Sequence, residues 1–327
     1  MKELKYLNKF LWKYKILLLC GIFFIVISNI FALYPAEFVR TVFDKIILYM
    51  ESDSKNKNIN LIILKYTSLI ILFAILKGLF MYFMRQTIIV MSRKIEFDLK
   101  NEIYKKYQAL SSSFYKKNRT GDLMNRISED VTNVRMYVGP ALMYTINIIV
   151  LFYLLITKML NINTTLTLYV LLPLPILAVT VYLVSNNINL RTQKVQKKLS
   201  KLTTIAQENY SGITIVKTFN NELNSFNKFF KTCQEYTQKQ LQLVKIEAFF
   251  FPLIITLIGT STIITIYVGG LESFKGNITT GNIAEFIIYI NMLAWPVASI
   301  GWVTSLIQKA AASQKRINNF LFIEAEI

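Results

Sequence analysis

Histidine does not occur among the 327 residues, and cysteine occurs only at Cys20 and Cys233. The first absence excludes histidine-based acid–base and triad chemistry. With so few thiols it also removes zinc sites of the Cys/His kind. Cys20 lies in an apolar run and Cys233 in a basic segment, which argues against a disulfide between them. Charge is scarce as well: 17% of residues are charged, against about 25% in soluble domains. What fills the space is apolar, with 54% hydrophobic residues and a mean hydropathy of +0.41.

The apolar material comes in runs. Ile16–Leu33 contains only Ser28 and Asn29 as polar members, and a bilayer core needs about 20 apolar residues at 1.5 Å each. Reading on gives six predicted spans: Lys15–Val39, Ile62–Met84, Tyr137–Ile156, Thr164–Ser185, Ala248–Gly270 and Asn282–Leu306. The fold class expected is an all-α polytopic membrane protein. All six prolines lie in or at the mouth of these spans, where membrane helices tolerate them. The first run exceeds the usual 7–15 residues of a signal-peptide core, so an uncleaved helix is the better reading.

The formal charge of +18 invites a nucleic-acid reading, but its distribution does not. Eleven of the 37 Lys and Arg fall in Arg85–Arg135, ten in Arg191–Lys245 and five in Lys2–Lys15. Those segments share one face of the membrane if there are six spans, and positive residues gather on the cytoplasmic face. Both termini are therefore expected in the cytoplasm, with a lipid bilayer and not a nucleic acid as the surrounding partner.

The long basic connections do not read as loops. Residues 85–138 hold no proline and one glycine, Gly121; residues 185–251 hold no proline and one glycine, Gly212. Such stretches form helix, so spans two to five are expected to continue into the cytoplasm as hairpins over 85–136 and 186–247. A helix from Ile62 to Ala109 would be roughly 70 Å long, well beyond the hydrocarbon. Each hairpin turns near its glycine, with Thr120 and Asp122 as candidate N-caps of the following helix. The tips carry apolar groups, Phe114 and Tyr115 in one and Ile213, Val216 and Phe219 in the other. Either the hairpin arms bury these groups themselves, or another surface covers them.

At these tips the chain resembles a known family. Thr120-Gly-Asp-Leu-Met-Asn-Arg-Ile-Ser-Glu-Asp130 resembles the first cytoplasmic loop of type I ABC exporters. Glu208…Gly212-Ile213…Val216-Lys217…Phe219…Glu222 resembles the second, and Gly269-Gly270…Gly276…Thr280-Gly281…Phe286…Tyr289…Pro296 is similar to the stretch joining helices five and six. Ala311…Ser313…Arg316-Ile317 resembles the exit. The resemblance, to half-transporters of the lipid A and multidrug exporter kind, implies a dimer of two membrane halves, homo- or heterodimeric. It further implies coupling helices docked on nucleotide-binding domains, with ATP and Mg bound there and none in this chain. Carried over by position, the first coupling helix centres on Tyr115–Asp122 and the second on Ser211–Phe219. The coupling residues implied are Phe114, Tyr115, Thr120, Gly121, Asp122, Ser211, Gly212, Ile213, Lys217 and Phe219. Arg126 and Asp130, at i and i+4, could pair on one helix face.

No G-x-x-x-x-G-K-[ST] phosphate loop occurs, so ATP hydrolysis by the family's route needs another domain. Residues 319–327 are expected to begin a linker to it. The expected function is the membrane domain of an exporter of amphipathic substrates: lipid, drug or peptide. The alternative is a separately encoded permease, or a non-transporting adaptor, partnered with an ATPase subunit. Polar groups inside spans mark candidate transport paths. Lys77, about 6 Å to the cytoplasmic side of its span's midpoint, faces a cavity or snorkels toward Arg85; Tyr289 and Asn291 are weaker candidates. Lys65 and Glu285 lie near outer span ends within reach of water. Residues 1–14 pattern as an amphipathic elbow helix on an anionic leaflet.

Overall fold

The computed structural model describes residues 2–51 and 59–323, and among them every element is helical. The chain divides into two units, Met1–Leu171 with Thr262–Ile327, and Leu172–Ser261. Among the described residues six helical stretches are long and apolar enough to cross a membrane, which makes the chain a multi-pass membrane protein.

The first unit opens with a 3-10 turn, Lys2–Leu7, and helix α1, Asn8–Lys13. Helix α2 (Lys15–Glu51) runs straight through Pro35, and α3 (Ile59–Ala109) has 51 residues, about 75 Å at 1.5 Å per residue. Short helices α4 (Ser112–Lys117) and α5 (Thr120–Asn125) make the first tip. A π turn at Arg126–Asp130, α6 (Val131–Met136), a second π turn at Tyr137–Ala141 and α7 (Leu142–Ile162) follow. The second π turn contains Pro140, whose missing N–H interrupts the regular ladder. Helix α8 (Thr164–Leu171) ends where Pro173 and Pro175 remove two donors in succession.

The second unit holds α9 (Pro173–Ser211), α10 (Ile213–Thr218) and α11 (Glu222–Phe274) up to residue 261. Lys198 and Arg191 of α9 bond to Glu235 and to the carbonyl oxygen of Gln242 on α11. The last helix, α12 (Thr280–Leu321), returns to the first unit.

One core organises the first unit. Met84, Ile88, Met91, Ile95, Leu99 and Ile103 recur every three or four residues on α3, and all are buried. They pack with Val131, Val134, Val138, Ile317 and Phe320. Each such side chain contributes about 1.5–3 kcal/mol when removed from water. Gly139 permits a close approach of the helices, since a Cβ there would meet Ser92 Oγ at 2.7 Å. At the other end of the helices, Asp44 Oδ1 accepts the backbone N–H of Gly281 (3.1 Å) and Oδ2 accepts the Thr279 hydroxyl (3.0 Å), anchoring the start of α12 to α2.

Four expectations are corrected. Thr120 and Asp122 do not cap α5: Arg119 holds the N-cap position, and both residues lie inside the first turn, where Asp122 still complements the helix dipole. Arg126 and Asp130 do not pair. The Asp130 carboxylate points inward and is held by both Nε (3.0 Å) and Nη2 of Arg316, while Arg126 sits 5.1 Å from the Phe320 ring. Arg316 presents Nε and Nη2 to the two carboxylate oxygens together, a two-point contact. Glu285 does not reach water: it is 1% exposed, accepts the Tyr289 hydroxyl (2.7 Å) and pairs with Arg40 (3.2 Å). The apolar side of the elbow packs on protein, because Leu4, Leu7 and Phe10 are buried. Lys9 pairs with Glu102 (2.6 Å) and Lys13 with Asp98 (2.6 Å). Burial, then the bond to Glu102, pushes the Tyr6 hydroxyl well above its ordinary range; the bond to Asp98 raises the Lys13 ammonium.

Candidate functional site: a membrane cavity and two hairpin tips

Four helices of the first unit line a half-open cavity of about 400 Å³. Each contributes one stripe at helical spacing: Ser28, Asn29 and Ala32 from α2; Lys77, Met81, Met84 and Arg85 from α3; Met143, Tyr144, Asn147 and Leu151 from α7; Asn291, Met292, Trp295 and Pro296 from α12. Residues at i, i+4, i+7 and i+8 share a helix face, so the α3 stripe presents two cations and two thioethers to one space. Across it, Asn29 Nδ2 donates to Asn147 Oδ1 (2.9 Å), tying α2 to α7, and Ser28 Oγ donates to the Lys77 carbonyl oxygen (3.3 Å). Tyr144 packs edge-on to Trp302 and tilted to Trp295, with ring centroids 5.5 and 5.3 Å apart. The wall is apolar over most of its area, and no carboxylate is among the lining residues. That chemistry holds an apolar body with a polar or charged end.

Of the three residues singled out for a pathway, Lys77 and Asn291 line this cavity and Tyr289 does not. Tyr289 is fully buried and bonded to Glu285. Arg85, Asn29, Asn147 and the methionines were missed. The signal available was an asparagine well inside each of three spans, Asn29, Asn147 and Asn291, a side chain rarely left unmatched in an apolar helix.

The tips differ in exposure. At the first, Asn118 is extended between α4 and α5, so the stretch Tyr115–Asp122 straddles a joint and is not one helix. Phe114 is half-buried, 6.2 Å from Phe320, and Tyr115 donates its hydroxyl to the Tyr107 carbonyl oxygen. Thr120, Gly121 and Asp122 are exposed, and nothing lies within 4 Å of a Cβ on Gly121.

At the second tip, Ser211 closes α9 and α10 follows directly after Gly212. A Cβ on Gly212 would come within 3.2 Å of the Glu208 carbonyl oxygen, a tight fit. The turn after α10 puts Asn220 at φ +51°, with the Asn221 N–H returning to the Val216 carbonyl oxygen (2.9 Å). Asparagine is among the few side chains at ease in that conformation. Ile213, Ile215 and Lys217 are exposed, and Phe219 is 77% exposed. Tyr210, Leu223 and Phe226 are exposed as well, and Tyr210 and Phe226 line one shallow groove with Ile213 and Val216.

Residues 16–297 match the family of the ABC transporter transmembrane region. The chain is 30% identical over 99% of its length to 55% of the multidrug resistance-like ATP-binding protein MdlA of Buchnera aphidicola. It is 30% identical over 77% of its length to 43% of an uncharacterized ABC transporter ATP-binding protein, YknU, of Bacillus subtilis. Over 79% of its length it is 27% identical to 43% of an ATP-dependent lipid A-core flippase of Pseudomonas syringae. It thus spans about half the length of these relatives. With the six apolar helices, the coverage assigns the chain: it belongs to the ABC transporter transmembrane region family.

Proposed function

We propose that this chain is the membrane half of an ATP-driven exporter of amphipathic substrates. Two such halves, identical or different, work with nucleotide-binding domains that carry ATP and Mg. Residues 1–14 form the elbow and 15–318 the membrane domain, with cytoplasmic hairpins at 85–136 and 186–247. Residues 319–327 begin the connection onward; of these, 324–327 lie outside the described residues. The charge distribution supports a place in the cytoplasmic (inner) membrane with both termini in the cytoplasm.

The observation that carries this reading is the bare apolar surface of the second tip, where Ile215 is 65% and Phe219 77% exposed. Water-exposed groups of that size, clustered on a hairpin rich in lysine, call for a partner surface. A nucleotide-binding domain supplies one. Closure of a nucleotide-binding pair on ATP would then move the tips, and through α9 and α11 the membrane helices. The multidrug and lipid A-core names of the relatives support an amphipathic substrate. The test is the intact mass of the native polypeptide, with ATPase activity measured on the same purified sample. A mass above 37.9 kDa by about one domain with hydrolysis, or this mass with a co-purifying ATPase, supports the reading. This mass with neither hydrolysis nor a nucleotide-binding partner contradicts it.

A further inference from the structure

The end of α12 is held on two adjacent faces. Ser313, Arg316 and Phe320 recur at helical spacing and meet the first hairpin. Asn133 donates to Ser313 Oγ (3.1 Å), Arg316 holds Asp130, and Phe320 packs on Tyr107 with ring centroids 4.7 Å apart. Asn318 and Phe322, four residues apart on the next stripe, meet the elbow instead. Asn318 Nδ2 donates to the Glu3 carbonyl oxygen (3.1 Å) and to Glu3 Oε2 (3.4 Å), and Phe322 stands edge-on to Tyr6 with centroids 6.1 Å apart. Asn318 is 6% exposed, and its Oδ1 accepts from Gln314 (2.7 Å). Taking the elbow away would strip both acceptors from a buried amide, a costly state. The same turn is pinned to α3, where Asp98 and Glu102 share a face. Tyr6 and Lys9 both donate to Glu102, Lys9 at 2.6 and 2.8 Å; Lys13 (2.6 Å) and Tyr14 (3.0 Å) donate to Asp98. Leu4, Leu7 and Phe10 fill the space between, in one core with Leu99, Ile103, Ile317 and Phe320.

From these contacts we infer that the elbow is a clasp: Glu3 and Tyr6 position the end of α12 on α3 at Asp98 and Glu102, and the clasp stays shut while the transporter works. A displacement delivered at the end of α12 then reaches α3 and the first hairpin as one body. Lys9 and Lys13 already have protein counter-charges, so the clasp holds without an anionic leaflet. The inference rests on the exporter reading for its effect on transport, whereas closure is a property of the chain and is measured by itself.

Two spin labels report closure directly. Lys5 and Asn319 are exposed, two residues from Glu3 and one from Asn318. Each is replaced by cysteine in the full chain in its native assembly, with Cys20→Ser and Cys233→Ser. The distance between the labels is read by double electron–electron resonance, nucleotide-free and after trapping with ATP and vanadate. Both states are prepared in phosphatidylcholine vesicles with and without phosphatidylglycerol. The expected distance is the same in all of these conditions. Tyr6→Phe with Glu102→Gln should broaden and lengthen it. The same pair should lower amphipath uptake per ATP hydrolysed several-fold while basal ATPase persists; the effect is limited because the Glu102 side chain is 34% exposed. Lys9→Glu should restore the short distance and the uptake that Glu102→Lys alone removes. A distance that changes on trapping would overturn the inference by making the elbow a moving part. One that stays short only with phosphatidylglycerol would overturn it by making the elbow a lipid anchor. Basal ATPase, uptake and thermal stability falling together would leave only a packing role, and unchanged uptake per ATP in the broken clasp would also overturn it. An unaltered assembly that moves no amphipath refutes the exporter reading, and the label distance still decides the clasp.

Discussion

Phe219→Ala separates the docking role of the second tip from a packing role. Phe219 is 77% exposed in the chain by itself, so truncation removes little that the fold uses, and stability should change by no more than about 0.5 kcal/mol. A phenylalanine can bury about 150–250 Å², of which roughly 150 Å² is still open here. If a partner surface covers half of that, about 75 Å² at about 25 cal/mol per Å² is worth roughly 2 kcal/mol. Weakening the docked state by that amount corresponds to roughly thirtyfold. The assay is paired: thermal unfolding of the purified chain, and substrate-stimulated ATPase of the transporter reconstituted with its nucleotide-binding domains. Unchanged unfolding with largely lost stimulation is the expected result, and Ile215→Ala should follow it. Phe114→Ala should behave differently, because Phe114 already leans on Phe320; it should lower stability by about 1–3 kcal/mol. Loss of stability in Phe219→Ala with normal stimulation, or no change in either measurement, would refute the docking argument.

Asp130→Asn and Arg316→Gln should each destabilise. The effect should be about 1–2 kcal/mol, discounted for the half-exposed arginine. A double-mutant cycle read by thermal unfolding should return a positive coupling. Gly281→Ala places a Cβ 2.6 Å from the Arg40 carbonyl oxygen and should cost about 1–3 kcal/mol. Gly121→Ala, with open space around it and a helical conformation, should be neutral or gain up to about 1 kcal/mol. The Lys13–Asp98 bond raises the lysine above its ordinary value, so its contribution is complete below about pH 10.4, the unfolded-chain value, and fades as pH rises through the higher folded value. Thermal unfolding followed against pH should show that alkaline loss of stability, and Lys13→Met should abolish this part of it.

Length and composition made the six helices legible, because a run such as Ile16–Leu33 has no soluble use. Proline-free, lysine-rich stretches made the helical extensions legible too, and α3 at 51 residues is slightly longer than the expected 48-residue helix. What could not be read was which faces meet. Lys77 was found because charge in an apolar span is conspicuous. Met81 and Met143 looked like any other apolar residue until their helices faced one space. Arg126 and Asp130 show the same limit from the other side: their spacing suited a local pair, but the packing of α12 brings a second arginine, Arg316, to the carboxylate from 186 residues away. Glu285 sat near the end of a span and seemed open to water by position alone. Only the packing of α2 against α12 brings Arg40 to it. The tip at α10 was legible as a motif, whereas the groove that sets Phe226, beyond the motif, beside Tyr210 and Ile213 comes from how α11 follows the turn.

Coupled movement of substrate is the most direct test of the exporter mechanism. The chain, in its native assembly with nucleotide-binding domains, is placed in inside-out vesicles, and uptake of a labelled amphipath is followed with ATP, without ATP and with vanadate. The mechanism predicts uptake that requires ATP, stops with vanadate, and is lost when Phe219 is replaced by alanine. Uptake that proceeds equally without nucleotide, or ATP hydrolysis with no movement of any amphipath, would contradict it.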